Sequence, residues 1–411
     1  MKINNIDLEK LAKEYGTPLY LYDFNRIEDN IDRLKKAFQH PVIEHEIFYA
    51  MKANCHPAII NLIADKALGM DCVSPGELQL AKDAGLQSSK ILYTANYESR
   101  EELRNALNSQ VILNLDDIGS FSRLIESGVP ELISFRINPG KGRGKYEQTT
   151  TGGIKAKFGV PFEKAVEAYE IAKAAGVKKF GAHMMTGSGV LDDEHFAAML
   201  DLLLTHLGEV RKKTGIQFEF IDMGGGLGIA YHEKEKPLDI EKVAKKCHEV
   251  FERGVKKFDL GTPKLAMEPG RYLVGDAGWL ITKVLGVKES YKKFIGVDAG
   301  FHTLIRPALY NAEHRIIVNG KENLAKSEKV DVCGQICENT DILAKDYYLP
   351  PVEEDDLLVF ENCGAYGNVM SMPYNLRFRP AEVALYNGKV YEITRRENVE
   401  DYYSRIKLIK K

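Results

Sequence analysis

The chain has 411 residues, of which 44% are apolar and 28% charged, and its formal net charge is -3. These values are ordinary for a globular protein, and the small net charge gives no electrostatic reason to expect nucleic acid or an anionic membrane as a partner. At roughly 150 residues per domain, the length predicts two domains or one large barrel with an addition.

The N-terminal stretch MKINNIDLEKLAKEYGTP is charged and has no long apolar run, so we expect neither a signal peptide nor a membrane anchor. No segment elsewhere approaches the ~18 apolar residues of a transmembrane helix. The six cysteines are scattered without a CxxC pair, so we expect no zinc or redox site and no metal. Free thiols in a reducing compartment are the simplest interpretation, and they indicate a cytoplasmic protein.

Short apolar runs alternate with segments of helical periodicity between residues 45 and 268, which is typical of repeated βα units. Amphipathic segments separate the runs, for example residues 75–85, 161–176 and 193–215. Eight such repeats fit a TIM barrel, in which each of eight parallel strands is followed by a helix. The predicted strands are EIFYAMK (46–52), LGMDCVS (68–74), KILYT (90–94), QVILNL (110–115), LISFRIN (132–138), KFGAHMM (179–185), FEFIDMG (218–224) and KLAMEPG (264–270).

The pattern changes after residue 280 to short alternating segments separated by turn residues, which indicates a β domain. Within it, Asn387-Gly388 predicts a type I′ hairpin turn between two strands. Residues 18–22 (PLYLY) also form a candidate strand, which we expect to join the C-terminal sheet. The predicted fold class is α/β, a (β/α)8 TIM-like barrel with a C-terminal β-domain that the N-terminal strand joins. The predicted domains are an N-terminal segment packing with the β-domain (1–34), the barrel (35–280) and a C-terminal β-sandwich or barrel (281–411).

The candidate functional residues fall at the predicted carboxyl ends of the barrel strands, which is where barrel active sites lie. Lys52 follows the apolar residues 48–51, so we expect the barrel mouth to desolvate its ammonium group. A lowered lysine pKa would favour Schiff-base chemistry. Taken alone, a lysine at a strand end is more often a surface residue, and the neighbouring motifs favour the functional interpretation.

The run Gly224-Gly225-Gly226-Leu227-Gly228 follows the seventh strand, where barrel phosphate sites often lie, and it lets backbone N–H groups approach an anion. Ser188 and Arg271 could add phosphate contacts. The dinucleotide fingerprint is excluded, because Ile229 stands where that motif needs glycine or alanine. A tight turn without a ligand remains the alternative for the glycine run.

Glu268 is a carboxylate at the end of an apolar strand, where an unpaired charge costs free energy. A protonated pyridine nitrogen would be a natural partner. A pyridinium held by a carboxylate is a strong electron sink, which is what pyridoxal phosphate (PLP) needs at an amino-acid α-carbon. The alternative is a salt bridge to a neighbouring strand.

These motifs resemble those of the fold-type III PLP decarboxylases, the family of ornithine, arginine and diaminopimelate decarboxylases, and the resemblance covers nearly the whole chain. The barrel motifs are YAMKAN (49–54), DCVSPGEL (71–78), TTTGGIKAKFGV (149–160), GGGLGI (224–229) and MEPGR (267–271). The motifs similar to the diaminopimelate branch in particular are VDAGFHTLIRPALYNAEHRI (297–316), CENTDIL (337–343) and ENCGAYGNVMSMPYNLRFRPAEV (361–383).

The resemblance implies decarboxylation of meso-2,6-diaminopimelate to L-lysine and carbon dioxide, a reaction of lysine biosynthesis. Lys52 would form the Schiff base, and Cys337 would protonate the carbanion. It also implies a homodimer with shared active sites, in which Cys337 and Glu338 reach the site of the other subunit, and no nucleic acid or membrane partner. The implied cofactor-binding residues are Lys52, Ser188, Gly225, Gly226, Glu268, Gly270, Arg271 and Tyr366. The implied substrate-binding residues are Arg271, Arg306, Tyr310, Glu338 and Tyr366.

Each of these second-domain residues also has an ordinary alternative. Cys337 could be a buried apolar side chain. Arg306 could be a surface loop charge, and Glu338 and Asp341 could form one solvated acidic patch. The tyrosines could be ordinary core or rim aromatics.

Three positions depart from the family pattern. Met185 in HMMTGSG stands where relatives carry the histidine that stacks on the PLP ring, although a thioether can still pack against a ring with about 0.3–1.5 kcal/mol. His183, two residues before Met185, points to the same side of the strand but lies one full strand repeat away from Met185. Asn339 and Thr340, beside Glu338, also differ from the usual small residues.

These departures keep a second function open, a PLP decarboxylase of another diamino acid or of a siderophore or polyamine precursor. A different class is a PLP-binding regulatory protein or an inactive homologue that acts through a partner. The joint presence of Lys52, Cys337 and Glu338 argues against that class.

Overall fold

The structure is a computed structural model that describes residues 1–407 as two compact units. Residues 408–411, the end of the predicted C-terminal domain, lie outside the described residues. The helices are α1 Leu8–Tyr15, α2 Phe24–Ala37, α3 Pro57–Asp65, α4 Pro75–Asp83, α5 Arg100–Asn108, α6 Ile118–Leu124, α7 Phe162–Ala174, α8 Asp193–Thr214, α9 Ile240–Phe258, α10 Arg271–Val274, α11 Arg306–Tyr310 and α12 Val399–Tyr403. The strands are β1 Lys2–Ile3, β2 Ile6–Asp7, β3 Leu19–Asp23, β4 His45–Ala50, β5 Gly69–Cys72, β6 Ile91–Tyr93, β7 Ile112–Leu115, β8 Leu132–Asn138, β9 Val160–Pro161, β10 Lys179–Met184, β11 Phe220–Asp222, β12 Lys264–Met267, β13 Gly278–Glu289, β14 Lys293–Val297, β15 Ile316–Val318, β16 Glu328–Cys333, β17 Ile342–Leu349, β18 Leu357–Phe360, β19 Ala381–Tyr386 and β20 Lys389–Thr394.

One unit, Glu28–Ala230 with Lys236–Leu273, is a closed barrel of eight parallel strands. Neighbours pair in the order β4-β5-β6-β7-β8-β10-β11-β12, and β12 pairs with β4 to close the ring. The short strand β9 adds to β8. All eight predicted strands are present, so the predicted barrel is confirmed.

The barrel strands are apolar runs because parallel strands of this kind are covered on both faces. Inside the barrel, Phe48, Leu92, Phe220 and Ala266 form a buried cluster from four different strands. Gly181 is required at its position, since a Cβ there would lie 2.3 Å from the ring of Phe220. The three amphipathic segments predicted around the barrel are helices α4, α7 and α8.

The other unit, Met1–Ile27 with Tyr231–Glu235 and the chain from Val274 onward, is built on a mixed sheet. Its strand order is β17-β16-β14-β13-β3-β19-β20, and β18 joins β13 to β15. The N-terminal strand β3 pairs antiparallel with β13 and parallel with β19, as the predicted fold class requires. The predicted boundaries at residues 34/35 and 280/281 stay predictions.

The residue types at one turn of this sheet explain its backbone conformation. Asn387 and Gly388 have φ of 50° and 75° and connect β19 to β20, which confirms the predicted hairpin turn.

All six cysteines are free thiols. Among the described helices, none is both long and apolar enough to cross a membrane.

Candidate cofactor and substrate site

Lys52 lies in a 3-10 turn, Met51–Ala53, directly after the first barrel strand. Its Nζ donates a hydrogen bond of 2.6 Å to Oδ2 of Asp71, a fully buried residue of the adjacent strand β5. The side chain of Lys52 is 39% exposed, so the expectation that the barrel mouth desolvates it is wrong. The turn carries the lysine out of the apolar strand, and a carboxylate balances its charge.

His183, Asp222 and Glu268 form a buried cluster at the carboxyl ends of β10, β11 and β12. Nε2 of His183 lies 3.3 Å from Oε2 of Glu268, whereas Oε1 of Glu268 is buried and has no hydrogen-bond partner among the described residues. One ligand atom from each residue lies within 4.8 Å of the others, a spacing that could also hold a metal ion. The cluster therefore has one carboxylate oxygen ready for a further cationic or hydrogen-bonding partner.

The acidic groups of this cluster differ in ionisation. Burial would raise the pKa of Glu268, but the nearby charges of His183, Lys52 and Arg136 outweigh burial and lower the pKa to about 2. Burial and the charge of Glu268 raise the pKa of Asp222 well above its ordinary value. Burial and Glu268 likewise raise the pKa of Asp71, which Lys52 partly offsets. Glu268 is thus the carboxyl group of the His183, Asp222 and Glu268 cluster whose surroundings favour the ionised form.

The glycine run after β11 approaches the loop after β10 closely. Gly226 has φ of 96°, and a Cβ there would lie 2.5 Å from the carbonyl oxygen of Gly187. The buried Arg271, at the start of α10, donates from Nη2 to Oγ of Ser188 at 3.3 Å. A guanidinium, a hydroxyl and a glycine backbone in one place are groups that bind a phosphate.

The two other predicted glycines explain how tightly these loops pack. A Cβ on Gly225 would lie 2.2 Å from the carbonyl oxygen of Glu268, and a Cβ on Gly270 would lie 2.9 Å from Cβ of Ala53, next to Lys52. The N–H of Gly225 also points to Sδ of Met185 at 3.3 Å. Met185 therefore packs its sulfur against the glycine loop.

In the second unit, Arg306 is buried with only 1% of its surface exposed, so the alternative of a surface loop charge is wrong. It begins helix α11, which ends at the half-buried Tyr310. Its Nη1 lies 2.9 Å from Nε2 of His314, and its guanidinium carbon lies 4.7 Å from the ring centre of Tyr231. Buried arginines of this kind are suited to bind an anion.

Cys337 and Glu338 are exposed, so the alternative of a buried apolar cysteine is wrong. Glu338 accepts hydrogen bonds from Tyr374 at 2.5 Å and Thr340 at 3.0 Å, and these bonds lower its pKa. Asp341 is not part of a solvated patch. It is buried and accepts two backbone N–H bonds, from Phe301 at 2.6 Å and Ile336 at 2.7 Å, which holds the base of the loop.

In the second unit, chain neighbours of the predicted residues line a common cavity. Pro307 and Asn311 of the α11 segment and Asn339 and Thr340 of the 337–341 loop line one cavity of about 690 Å³. Tyr366 is half-buried and has φ of 56°.

Sequence reasoning missed Asp71, Asp222 and His314. The two aspartates carry the same signal that singled out Glu268, an acidic residue at the end of an apolar strand. His314 carries no local signal, because its contact with Arg306 depends on how α11 and the following chain fold.

Comparison with known proteins identifies the family. Residues 25–275 match the family described as pyridoxal-dependent decarboxylase, pyridoxal binding domain. The diaminopimelate decarboxylase of Methanothermobacter thermautotrophicus is 45% identical over 400 residues, which cover 97% of this chain and 94% of that protein. The chain belongs to the diaminopimelate decarboxylase family. It is therefore a PLP-dependent amino-acid decarboxylase.

Solved structures of this family have the same fold. The diaminopimelate decarboxylase of M. jannaschii in complex with L-lysine is 31% identical, with a TM-score of 0.90 over 99% of this chain and 96% of that chain. The Helicobacter pylori enzyme, also in complex with L-lysine, is 32% identical, with a TM-score of 0.88 over 97% of this chain and 98% of that chain. These matches confirm the barrel with an added β-domain.

The barrel residues fit PLP by their own chemistry. Glu268 is an ionised, buried carboxylate with one oxygen lacking a hydrogen-bond partner among the described residues, as a pyridinium nitrogen requires. Ser188, Gly226 and Arg271 bring a hydroxyl, a glycine backbone and a guanidinium together in the same barrel, and such groups suit a phosphate. Lys52 lies after the neighbouring strand β4, which pairs with the strand that leads to Glu268.

Proposed function

We propose that the chain converts meso-2,6-diaminopimelate to L-lysine and carbon dioxide in lysine biosynthesis. The observation that carries the proposal is the ionised, buried carboxylate of Glu268 in a barrel that also presents Lys52 and a phosphate-type cradle. The substrate is supported by relatives named diaminopimelate decarboxylase and by solved family structures with bound L-lysine.

In this proposal the barrel residues hold the cofactor. Lys52 is the attachment residue, and Asp71 orients its Nζ. Glu268 would accept a hydrogen bond from the ring nitrogen of the cofactor, and its ionised carboxylate would favour the protonated form of that nitrogen. PLP, when bound, supplies an electron sink for the α-carbon of the substrate. The phosphate ligands are Ser188, Gly225, Gly226, Gly270 and Arg271, with Tyr366 as a further cofactor and substrate contact.

The second unit supplies substrate recognition in this proposal. Arg306 and Tyr310 bind a substrate carboxylate, with Arg271 as a further contact, and Glu338 binds the distal ammonium group. The bond between the α-carbon and its carboxylate breaks, and carbon dioxide leaves. The α-carbon then takes a proton from Sγ of Cys337, which regains one from water.

The test is a substrate panel with purified protein and PLP. We expect meso-diaminopimelate to give lysine and carbon dioxide faster than ornithine, lysine or carboxynorspermidine does, with a Lys52→Ala variant as the control. A panel led by another amine would favour the second function, which Met185, Asn339 and Thr340 keep open. Cofactor absorbance near 420 nm without turnover of any amino acid would favour a regulatory homologue.

We also propose a cytoplasmic homodimer with shared active sites. The exposure of Cys337 and Glu338 supports it, because a loop that completes a partner's site must lie on the surface. Mixing inactive Lys52→Ala and Cys337→Ala subunits tests it. Since each mixed dimer would hold one intact site, random exchange restores about a quarter of wild-type activity. No recovery after demonstrated subunit exchange would contradict shared sites.

A further inference from the structure

Arg306 is a buried cation without a carboxylate partner among the described residues. Its polar contact is Nη1 to Nε2 of His314 at 2.9 Å, and the ring of Tyr231 lies against the guanidinium at 4.7 Å. A buried charge that lacks an opposite charge is costly, so such a site is built to receive an anion. Its contacts within the protein must therefore fix the direction of the guanidinium before the anion binds.

The hydrogen bonds of His314 define its protonation. Its Nδ1 lies 2.8 Å from the backbone carbonyl oxygen of Glu361, and a carbonyl oxygen can only accept. Nδ1 therefore carries the proton and donates. A guanidinium can only donate, so Nε2 of His314 must be the acceptor for Nη1 of Arg306. His314 is thus a neutral imidazole of one defined tautomer.

This contact leaves one edge of the guanidinium for a ligand. Nη1 of Arg306 is occupied by His314, whereas Nε is buried and has no hydrogen-bond partner among the described residues. A carboxylate that binds Nε and Nη2 together makes the paired hydrogen bonds that arginine favours. Tyr231 closes one face of the guanidinium, and its ring is perpendicular to that of His314 at 5.3 Å between centres.

We propose that His314 is a positioning residue that fixes Arg306 so that its Nε and Nη2 edge meets a substrate carboxylate. The inference rests on the proposed function, in which Arg306 binds that carboxylate. A tight ion pair would oppose departure of the reacting carboxylate, so Arg306 holds the carboxylate that stays on the product. Arg306 contacts this carboxylate equally in the bound substrate and in the transition state, so loss of the contact raises KM and leaves kcat nearly unchanged.

The experiment compares steady-state kinetics of the PLP-loaded enzyme with those of His314→Phe, His314→Gln and the control His232→Phe. Loss of the acceptor in His314→Phe raises KM for meso-diaminopimelate about tenfold or more, while kcat changes less than about threefold. His314→Gln restores most of the KM, because its side-chain oxygen can accept from Arg306. The imidazole of His232 lies 3.4 Å from Glu313. His232→Phe serves as the control and keeps the wild-type KM.

Three results would overturn the inference. The first is an unchanged KM in folded His314→Phe. The second is a fall of its kcat as large as the expected rise of KM, together with loss of bound PLP. The third is a His314→Gln enzyme as impaired as His314→Phe. ¹⁵N NMR of the wild-type histidines gives a readout independent of activity, and a His314 ring protonated at Nε2 would also overturn it. If the wild-type enzyme is inactive on meso-diaminopimelate, the proposed function fails. The NMR measurement of the His314 tautomer then tests whether His314 positions Arg306.

Discussion

Replacement of Glu268 by glutamine tests the central electrostatic feature of the site. The change keeps the size of the side chain but removes its charge. The surroundings lower the pKa of Glu268 from 4.5 to about 2. Loss of one hydrogen bond to a charged group costs about 1.5–3 kcal/mol. If the transition state loses stabilisation of that size, kcat falls about 10- to 100-fold.

The assay measures lysine formation at saturating PLP, with cofactor absorbance and thermal melting to verify loading and folding. Asp222→Asn is the matched control, because Asp222 is equally buried but its raised pKa makes it the weaker source of charge. We expect Asp222→Asn to lose less than about tenfold in kcat. A loaded, folded Glu268→Gln enzyme with near wild-type kcat would refute the reasoning, as would equal losses in the two variants.

Three further predictions follow from single contacts. Asp71→Asn removes the carboxylate beside Nζ of Lys52, so a pH titration of the bound-PLP absorbance should have its midpoint about 1–3 pH units lower, and an unchanged midpoint would contradict this. Gly226→Ala forces a Cβ to 2.5 Å from a carbonyl oxygen at φ of 96°, so it should lower the free energy of unfolding by about 2 kcal/mol or more and weaken PLP binding. Gly286→Ala, with open space around the new Cβ, is its control, and equal melting temperatures for the two variants would contradict the strain argument. Burial and two neighbouring histidines lower the pKa of His45 to about 4. As the pH falls below about 6.5, the unfolded chain therefore takes up a proton at His45 before the folded chain does, and the folded state loses stability as the pH falls further. The fall in melting temperature between about pH 7 and pH 5 should therefore be smaller in His45→Phe than in the wild type, and an equal fall would argue against a neutral His45 in the fold.

The barrel was predictable from the sequence because its signals are local. Each strand is an apolar run with a helix of period 3.6 after it, and the eight runs match the eight strands. The same holds for the hairpin turn at Asn387-Gly388, whose backbone conformation these two residue types favour. The motifs around Lys52, Glu268 and the glycine run are contiguous, so the chain itself displays them.

The electrostatics of the site depend on contacts between residues far apart in the sequence, and only the tertiary structure shows them. Lys52 looked desolvated beside its apolar neighbours, but a turn exposes it and Asp71 binds it. Glu268 stays ionised because His183, from another strand, lies 3.3 Å away. Arg306 precedes a proline and resembles a loop charge in the sequence, yet it is buried. A residue's type and spacing determine which chemistry it can perform, whereas its burial and its distant neighbours set its charge and direction.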